Sequence, residues 1–410
     1  MKRIQLLFVT DAILYPLDRG NRIRIFNLLT ACAREFEVTL IAPRPSAADM
    51  TMLPKRITRT VFIDPNESTP FDWGRFRRAL GSAIGLPVTR TLFARMRLLR
   101  ALQELNLDDF GLIWAEQPHI GRMFNAHRAR TIVDFDDVNH RRLSRLIQLQ
   151  GWSVARLRSY YPYWVYRHAE LRAFRKYLRV IVCSKEDQDY LETRGAGNVR
   201  VAPNGTAIAR LIPSVRIRAS GTLLRTVYLG NMSGRPNIDA VRFFADQVLP
   251  RAHGLIESFD VIGSKASPEL MRDYGERVRF RGFVEDLSSA LCEYDVMVVP
   301  IRFGSGTKLK VLDAFASGVP VVSTPYGVEG LDVKDGVHVL IASTPDEMLH
   351  ALERLARSED LSRELGQRAH DLARERYSWE AIQMSLAKEL TDAVRGRGGP
   401  PQEVTQKSPV

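Results

Sequence analysis

Short apolar runs alternate along the chain with longer stretches in which apolar residues recur every three or four positions. A run of four to six apolar residues suits a strand covered on both faces, as in a parallel sheet. Residues 4–9, 38–41, 60–63, 111–115, 131–135 and 180–184 fit that description. Between the first two, a loop punctuated by Pro16 and Gly20 leads into Ile25, Leu28, Leu29, Cys32 and Phe36 at helical spacing. Residues 73–105 and 141–180 are Arg-rich and expected to be helical. Around VAPNGTAI (201–208) Pro, Asn and Gly take over, and little periodicity follows until Thr222, so residues 201–222 are the expected linker.

A second series starts with TVYLG (226–230), and Pro236 opens a helix carrying Ile238, Val241, Ala245 and Val248. Strands are expected at 259–263, 278–282, 295–300, 319–324 and 338–342, and residues 345–395 are mainly helical. The whole pattern predicts an α/β chain of two Rossmann-like, doubly wound parallel-sheet domains, residues 1–200 and 223–378, facing each other across a cleft. The last helix, 379–395, is expected to pack back on the first domain, and 396–410 lack an apolar face and are expected to be disordered. Sheets of this type bind ligands at the carboxyl ends of their strands, which the cleft would join.

Composition narrows the function classes. The three cysteines, Cys32, Cys183 and Cys292, are far apart and form no Cys/His cluster, which argues against a disulfide framework or a zinc site and fits a reducing cytoplasm. No run approaches the ~20 apolar residues of a membrane span, and Asp11 cuts short the signal-like start MKRIQLLFVT. The expected location is cytoplasmic, with any membrane contact peripheral on the inner face. Charge is unevenly spread: residues 1–200 hold 33 Lys and Arg against 20 Asp and Glu, whereas residues 201–410 hold 26 against 27. That asymmetry points to an anionic partner for the first half: a membrane surface, nucleic acid or a polyanionic substrate.

The strongest local signal is RFGSGTKLKVLDAFASGVPVVST (302–324). Gly304, Ser305, Gly306 and Thr307 precede a helix, where backbone can approach a ligand and free amides can receive phosphate. Lys308 and Leu309 follow, and Asp313 lies further along; its carboxylate has acceptors enough for two ribose hydroxyls.

With three further blocks, APNGTA (202–207), YLGNMSGRPNIDAV (228–241) and RFRGFVEDL (279–287), and with YGVEGL (326–331) behind it, this stretch resembles the group 1 glycosyltransferases, retaining GT-B enzymes that use nucleotide sugars. The resemblance spans roughly residues 180–395. It implies that the second domain holds a nucleotide-diphosphate sugar as substrate, with no cofactor and no metal. Arg235 matches the family's diphosphate-binding arginine; the usual lysine nearby is absent, with Asn237 offered instead and Lys308 or Lys310 as replacement cations. Gly282, Phe283 and Val284 match the nucleobase loop. Asp313 stands at the second position of the family's Glu-x7-Glu pair and Ser305 at the first, so both depart from it. Ser305, Gly306, Thr307, Lys308 and Leu309 complete the implied donor site.

In the first half, Gly20 resembles the loop glycine that faces the donor phosphates. In LIWAEQPHIG (112–121), Glu116 takes the position of a catalytic-site histidine, and His119 is the alternative. The implied catalytic set is Glu116, Arg235 and Lys308. VDFDDVNH (133–140) contains a nominal DxD with Asp134, Asp136 and Asp137, but the donor signature lies in the other domain, so an acceptor-side or solvated-loop role is expected rather than a metal.

Two basic segments remain. Arg75, Arg77, Arg78, Arg90, Arg95, Arg97 and Arg100 are interleaved with Phe and Leu, and Arg141, Arg142, Arg145, Arg156 and Arg158 run into Tyr160, Tyr161, Tyr163, Trp164 and Tyr166. Such segments suit an anionic membrane surface or a lipid-linked acceptor. Arg75, Arg77, Arg78, Arg95 and Arg97 are the expected acceptor or membrane contacts. No nucleic-acid module is visible. The expected function is transfer of a hexosyl unit to a glycan or lipid-linked acceptor in surface-polysaccharide or glycolipid synthesis. The alternatives are a GT-B epimerase or phosphorylase, or a non-catalytic basic membrane-binding module.

Overall fold

The computed structural model describes residues 3–17, 20–45, 53–54, 56–64, 88–136, 138–149, 154–173, 175–208, 223–303 and 308–396. Among them, the first half forms β1 (Gln5–Val9), β2 (Glu37–Pro43), β3 (Ile57–Ile63), β4 (Leu112–Glu116), β5 (Thr131–Phe135), β6 (Arg179–Val182) and β7 (Val199–Val201), buried except along the edge strands β3 and β7. These seven make one parallel sheet in the order β3-β2-β1-β4-β5-β6-β7. The second sheet runs β10 (Arg279–Gly282), β9 (Ile256–Ile262), β8 (Leu224–Leu229), β11 (Val296–Val299), β12 (Val321–Ser323), β13 (Leu340–Ile341), again all parallel. In each sheet the order reverses beside the first strand, between β1 and β4 and between β8 and β11. Diverging crossovers open a crevice at those points. Two such sheets make this the GT-B fold.

Alternation along each strand divides the first core in two. Leu7, Val9, Ile113, Ala115, Val133 and Phe135 face one layer. Leu6, Phe8, Leu112, Trp114, Ile132 and Ile181 face the other, under helix α1 (Gly20–Glu35). Phe8 and Trp114, fully buried, stack with ring centroids 5.7 Å apart. The remaining long helices are α2 (Val88–Gln103), α3 (Asn139–Leu149), α4 (Val154–Ala173), α5 (Lys185–Glu192), α6 (Arg235–Phe243), α7 (Leu309–Ala316), α8 (Pro345–Arg357), α9 (Glu359–Leu372) and α10 (Trp379–Arg395).

The two sheets are tied by two chain crossings that touch. Thr206 N donates to Tyr377 O at 2.9 Å, and Trp379 N donates to Thr206 O at 3.3 Å. Beyond the second crossing, α10 lies on the first domain: Leu386 and Leu390 enter the α1 core, Gln383 Nε2 donates to Asn27 Oδ1 at 2.8 Å, and Arg179 Nε donates to Glu389 Oε1 at 2.8 Å.

One local expectation changes. The three-residue β7 lies in the stretch leading into the expected linker, because so short an edge strand has no period of its own. The Arg-rich 141–180 segment, expected to be helical, holds the two helices α3 and α4. In 73–105 the described helix is Val88–Gln103, and residues 65–87 lie outside the described residues, as do 209–222 and 397–410.

Gly205 sits where the crossings meet: a Cβ there would lie 2.8 Å from the Tyr377 carbonyl oxygen and 2.9 Å from the Trp379 ring. Gly205→Ala is expected to destabilise the chain by about 1–3 kcal/mol in denaturant unfolding. Gly197→Ala, where a Cβ meets nothing within 4 Å, is the control and should stay within about 0.5 kcal/mol.

Candidate functional site

A cavity of about 900 Å³ opens between the two sheets, at the carboxyl ends of β8, β9, β10 and β11. Its floor is backbone. Gly263, at φ +144°, approaches Gly230 so closely that a Cβ on it would lie 2.0 Å from the Gly230 carbonyl oxygen. Only glycine permits that dihedral and that approach, which leaves the strand ends open to a ligand. Gly263 N donates to Gly282 O at 2.8 Å, joining the ends of β9 and β10.

Cations line the wall formed by the starts of α6 and α7. Arg235 opens α6 behind Gly234, with Pro236 after it, and is exposed at the cavity. The loop before it is held by Asn231, whose Oδ1 accepts from Ser233 N at 2.9 Å and whose carbonyl accepts from Asn237 Nδ2 at 2.8 Å. Lys308 precedes α7 and lines the same space. Lys310 Nζ donates to Tyr228 Oη at 2.7 Å and to Asn237 Oδ1 at 2.8 Å, and lies 4.1 Å over the Tyr228 ring. Among the described residues it has no carboxylate partner. Burial, and then the Lys308 charge, hold its ammonium well below the ordinary lysine range.

Asp313 is on the inner face of α7, where its Oδ1 accepts from Thr206 Oγ1 at 3.0 Å. Burial pushes its carboxyl up to about 6, against that hydrogen bond. Phe283 and Val284 line the cavity beyond β10, and Phe283 is 74% exposed, an aromatic face open to a flat ring. Gly282 ends that strand. Ser305, Gly306 and Thr307 lie outside the described residues.

The first domain closes the other side. Gly20 opens α1 directly against Leu309, whose Cδ1 would be 2.8 Å from a Cβ at that position. Arg142 and Arg145 reach the cavity from α3, and Arg145 makes a two-pronged ion pair with Glu329 of the other domain. In the sequence these arginines were indistinguishable from their basic neighbours; only the fold lays α3 over the cleft.

Glu116 is not brought to the cavity. It ends β4 at 2% exposure, with Trp114 Nε1 3.5 Å from Oε2. Burial and then the Asp134 charge push its carboxyl well above the ordinary range, with Arg24 opposing. Asp134 is likewise no loop residue: it is buried on β5 and accepts from Arg24 Nε at 2.9 Å and Nη2 at 2.6 Å. Arg24 also donates to Ala202 O at 2.8 Å and to Asn204 Oδ1 at 3.2 Å. Asp136 flanks this pair at 3.7 Å, and Asp137 lies outside the described residues. His119 is 34% exposed at the side chain, and its Nε2 is 2.9 Å from Asp11 Oδ2, across the ends of β1 and β4. Between them Gln117 takes φ +81°, a costly conformation that a non-glycine residue keeps only under constraint.

The expected acceptor or membrane arginines divide. Arg75, Arg77 and Arg78 lie outside the described residues, and Arg95 is placed only as part of α2. Arg97 is half-buried and lines a separate 430 Å³ cavity with Arg59 and Arg100 beside β3, away from the cleft.

Residues 224–358 match the family model described as Glycosyl transferases group 1. Over 96 residues the chain is 33% identical to an uncharacterised 44.6 kDa protein in the cps region of Klebsiella pneumoniae; that match spans 23% of this chain and 24% of the relative's length. Among solved structures, sucrose-phosphate synthase from Thermosynechococcus elongatus superposes with a TM-score of 0.66 at 18% identity, over 96% of this chain and 100% of that one. WaaG, a glycosyltransferase involved in lipopolysaccharide biosynthesis, gives 0.63 at 14% identity, over 94% and 99%. Anabaena HepE, solved in complex with UDP and glucose, gives 0.59 at 14% identity, over 95% and 100%. The cavity is built largely from residues inside the stretch that matches the group 1 glycosyltransferase model, on a chain with the GT-B fold.

Proposed function

We propose that this chain transfers a sugar, of hexose type, from a nucleotide-diphosphate sugar to a glycan or lipid-linked saccharide. The observation that carries the proposal is the grouping of Arg235, Lys308 and Lys310 around one cavity, with Asp313 and an exposed Phe283 on its lining, inside the stretch that matches the glycosyltransferase model. The cations suit a diphosphate, Asp313 a ribose and Phe283 a nucleobase. The crystallised partners of HepE support a nucleotide-sugar donor, and WaaG and the cps-region relative support a surface-glycan pathway. We place the work in the cytoplasm, at the inner face of the membrane.

Chemically, the bond between sugar C1 and the phosphate oxygen breaks as C1 bonds to the acceptor hydroxyl oxygen on the same face. The acceptor proton passes to the departing phosphate oxygen, and the nucleoside diphosphate leaves. Retention then needs no carboxylate nucleophile, consistent with the burial of Glu116. Charge growing on the diphosphate is met by Arg235, Lys308 and Lys310, with no metal in the proposed mechanism; such preorganised donors lower the barrier by ~3 kcal/mol each. Lys310 takes the place of the missing α6 lysine through its contact with Asn237. His119 and Asp11, paired at the first sheet's switch point, keep exposed surface there, and His119 is the proposed contact of the acceptor side.

Thermal shift and transfer assays across UDP-, GDP- and ADP-sugars test the proposal directly. One donor should stabilise the chain, by about 2.7 kcal/mol at a hundredfold excess over its dissociation constant. Arg235→Ala and Lys310→Met should each lower turnover with that donor by about a hundredfold or more. No binding by any nucleotide, or unchanged turnover in both variants, refutes it. Epimerised nucleotide sugar formed without acceptor would assign the site to epimerisation instead, and EDTA should leave transfer unchanged.

Asp313 must ionise to accept two ribose hydroxyls, and its burial opposes that. With its carboxyl raised from the ordinary 3.8 to about 6, the native state binds the proton more tightly than the unfolded chain. Its contribution to stability is therefore complete below pH 3.8 and lost as pH rises through 6, a difference of about 3 kcal/mol. Asp313→Asn should accordingly unfold at a higher temperature than wild type at pH 8. That gap should shrink toward pH 4, and nucleotide affinity should fall by about tenfold or more.

A further inference from the structure

Helix α4 presents Leu157, Tyr160, Tyr161, Trp164 and Val165 to solvent, at 64, 39, 58, 56 and 46% exposure. Steps of three and four residues put all five on one stripe. At about 100° per residue, Arg158 borders the stripe on one side, and Arg156 and Arg167 border it on the other. The Arg167 guanidinium lies over the Trp164 ring, 5.2 Å from its centroid.

The opposite face is fixed. Glu170, the only acidic residue in α4, is buried, and its carboxylate accepts from Asn139 Nδ2 at 3.1 Å and lies 2.6 Å from His140 Nδ1. His140 Nε2 is 2.6 Å from Tyr190 Oη of α5, so α3, α4 and α5 are locked together. The aromatic stripe therefore cannot turn inward without breaking a buried hydrogen-bonded network.

We propose that this stripe is the surface by which the chain lies on an anionic lipid bilayer. Large apolar patches are rarely left on a soluble surface without a partner. Tyr and Trp rings belong at the headgroup level, and flanking arginines meet lipid phosphates; together they describe a helix lying in the interface plane. The charge fits as well, since the first half carries the whole basic surplus. No helix among the described residues is long and apolar enough to cross a membrane, so the contact is a surface one. Helix α3, packed against α4, also supplies Arg142 and Arg145 to the cleft, which sets the stripe one helix away from the cavity. This extends the proposed lipid-side acceptor, yet its test needs no catalysis.

The full chain is sedimented with phosphatidylcholine vesicles and with vesicles that also contain phosphatidylglycerol. Wild type should bind the anionic vesicles and release as salt rises. Leu157→Glu combined with Trp164→Glu should weaken that binding by about tenfold or more while nucleotide affinity and circular dichroism stay unchanged. Brominated lipid should quench wild-type fluorescence more than that of Trp164→Phe. Wild type remaining in the supernatant, or the double variant binding as well as wild type, overturns the assignment. So does a stripe-dependent dimer, or nucleic-acid complex, that forms without lipid binding. Vesicle binding without nucleotide affinity leaves this surface assigned and refutes the donor-site proposal alone.

Discussion

Arg24 is the point on which the first domain and its approach to the cleft depend. Its guanidinium is fully buried and makes two hydrogen bonds to Asp134 on β5, one to the Ala202 carbonyl and one to Asn204. One side chain on α1 thus holds the central sheet and the first chain crossing together. Asp134 and Glu116 are buried near that single cation, with Asp136 at its edge. Removing a partner from such a group leaves uncompensated buried charge, at a cost of roughly 3–5 kcal/mol. Because Gly20 and Ile23 belong to the same helix, the position of the cleft wall follows from this pair.

Across the cleft the physical problem is reversed. The second domain is nearly neutral, and a few cations stand where the sheet leaves strand ends open. Lys310 is stabilised by a phenol and an amide rather than by a carboxylate, so its charge is not cancelled in advance. Arg302, by contrast, is paired with Asp239 at 2.9 Å and is absent from the cavity lining.

The same distinction sorts the basic surplus of the first half. Arg24, Arg130, Arg141, Arg145 and Arg179 are engaged with Asp134, Asp108, Asp187, Glu329 and Glu389 and act as fasteners. Arg158 lies exposed beside the α4 stripe instead. Net charge alone would have treated all of them alike.

Periodicity and local turn chemistry were enough to place twelve of the thirteen strands among the described residues, the α/β class and the paired sheets, because burial on both faces of a central parallel strand is written into consecutive residues. Lys308 and Asp313 were legible in the glycine-rich stretch and the helix after it, and Arg235, Gly282 and Phe283 through the family resemblance; Asp313 lies one turn inside α7 and the others at a strand end or helix start. The three-residue β7, the burial of Glu116 and the entry of Arg142 and Arg145 into the cleft were not. The Arg24–Asp134 pair spans 110 positions and the Arg145–Glu329 pair spans 184. Whether a carboxylate faces a ligand or a buried guanidinium depends on what folding packs against it, and that partner is set by three-dimensional proximity rather than by neighbours in the chain.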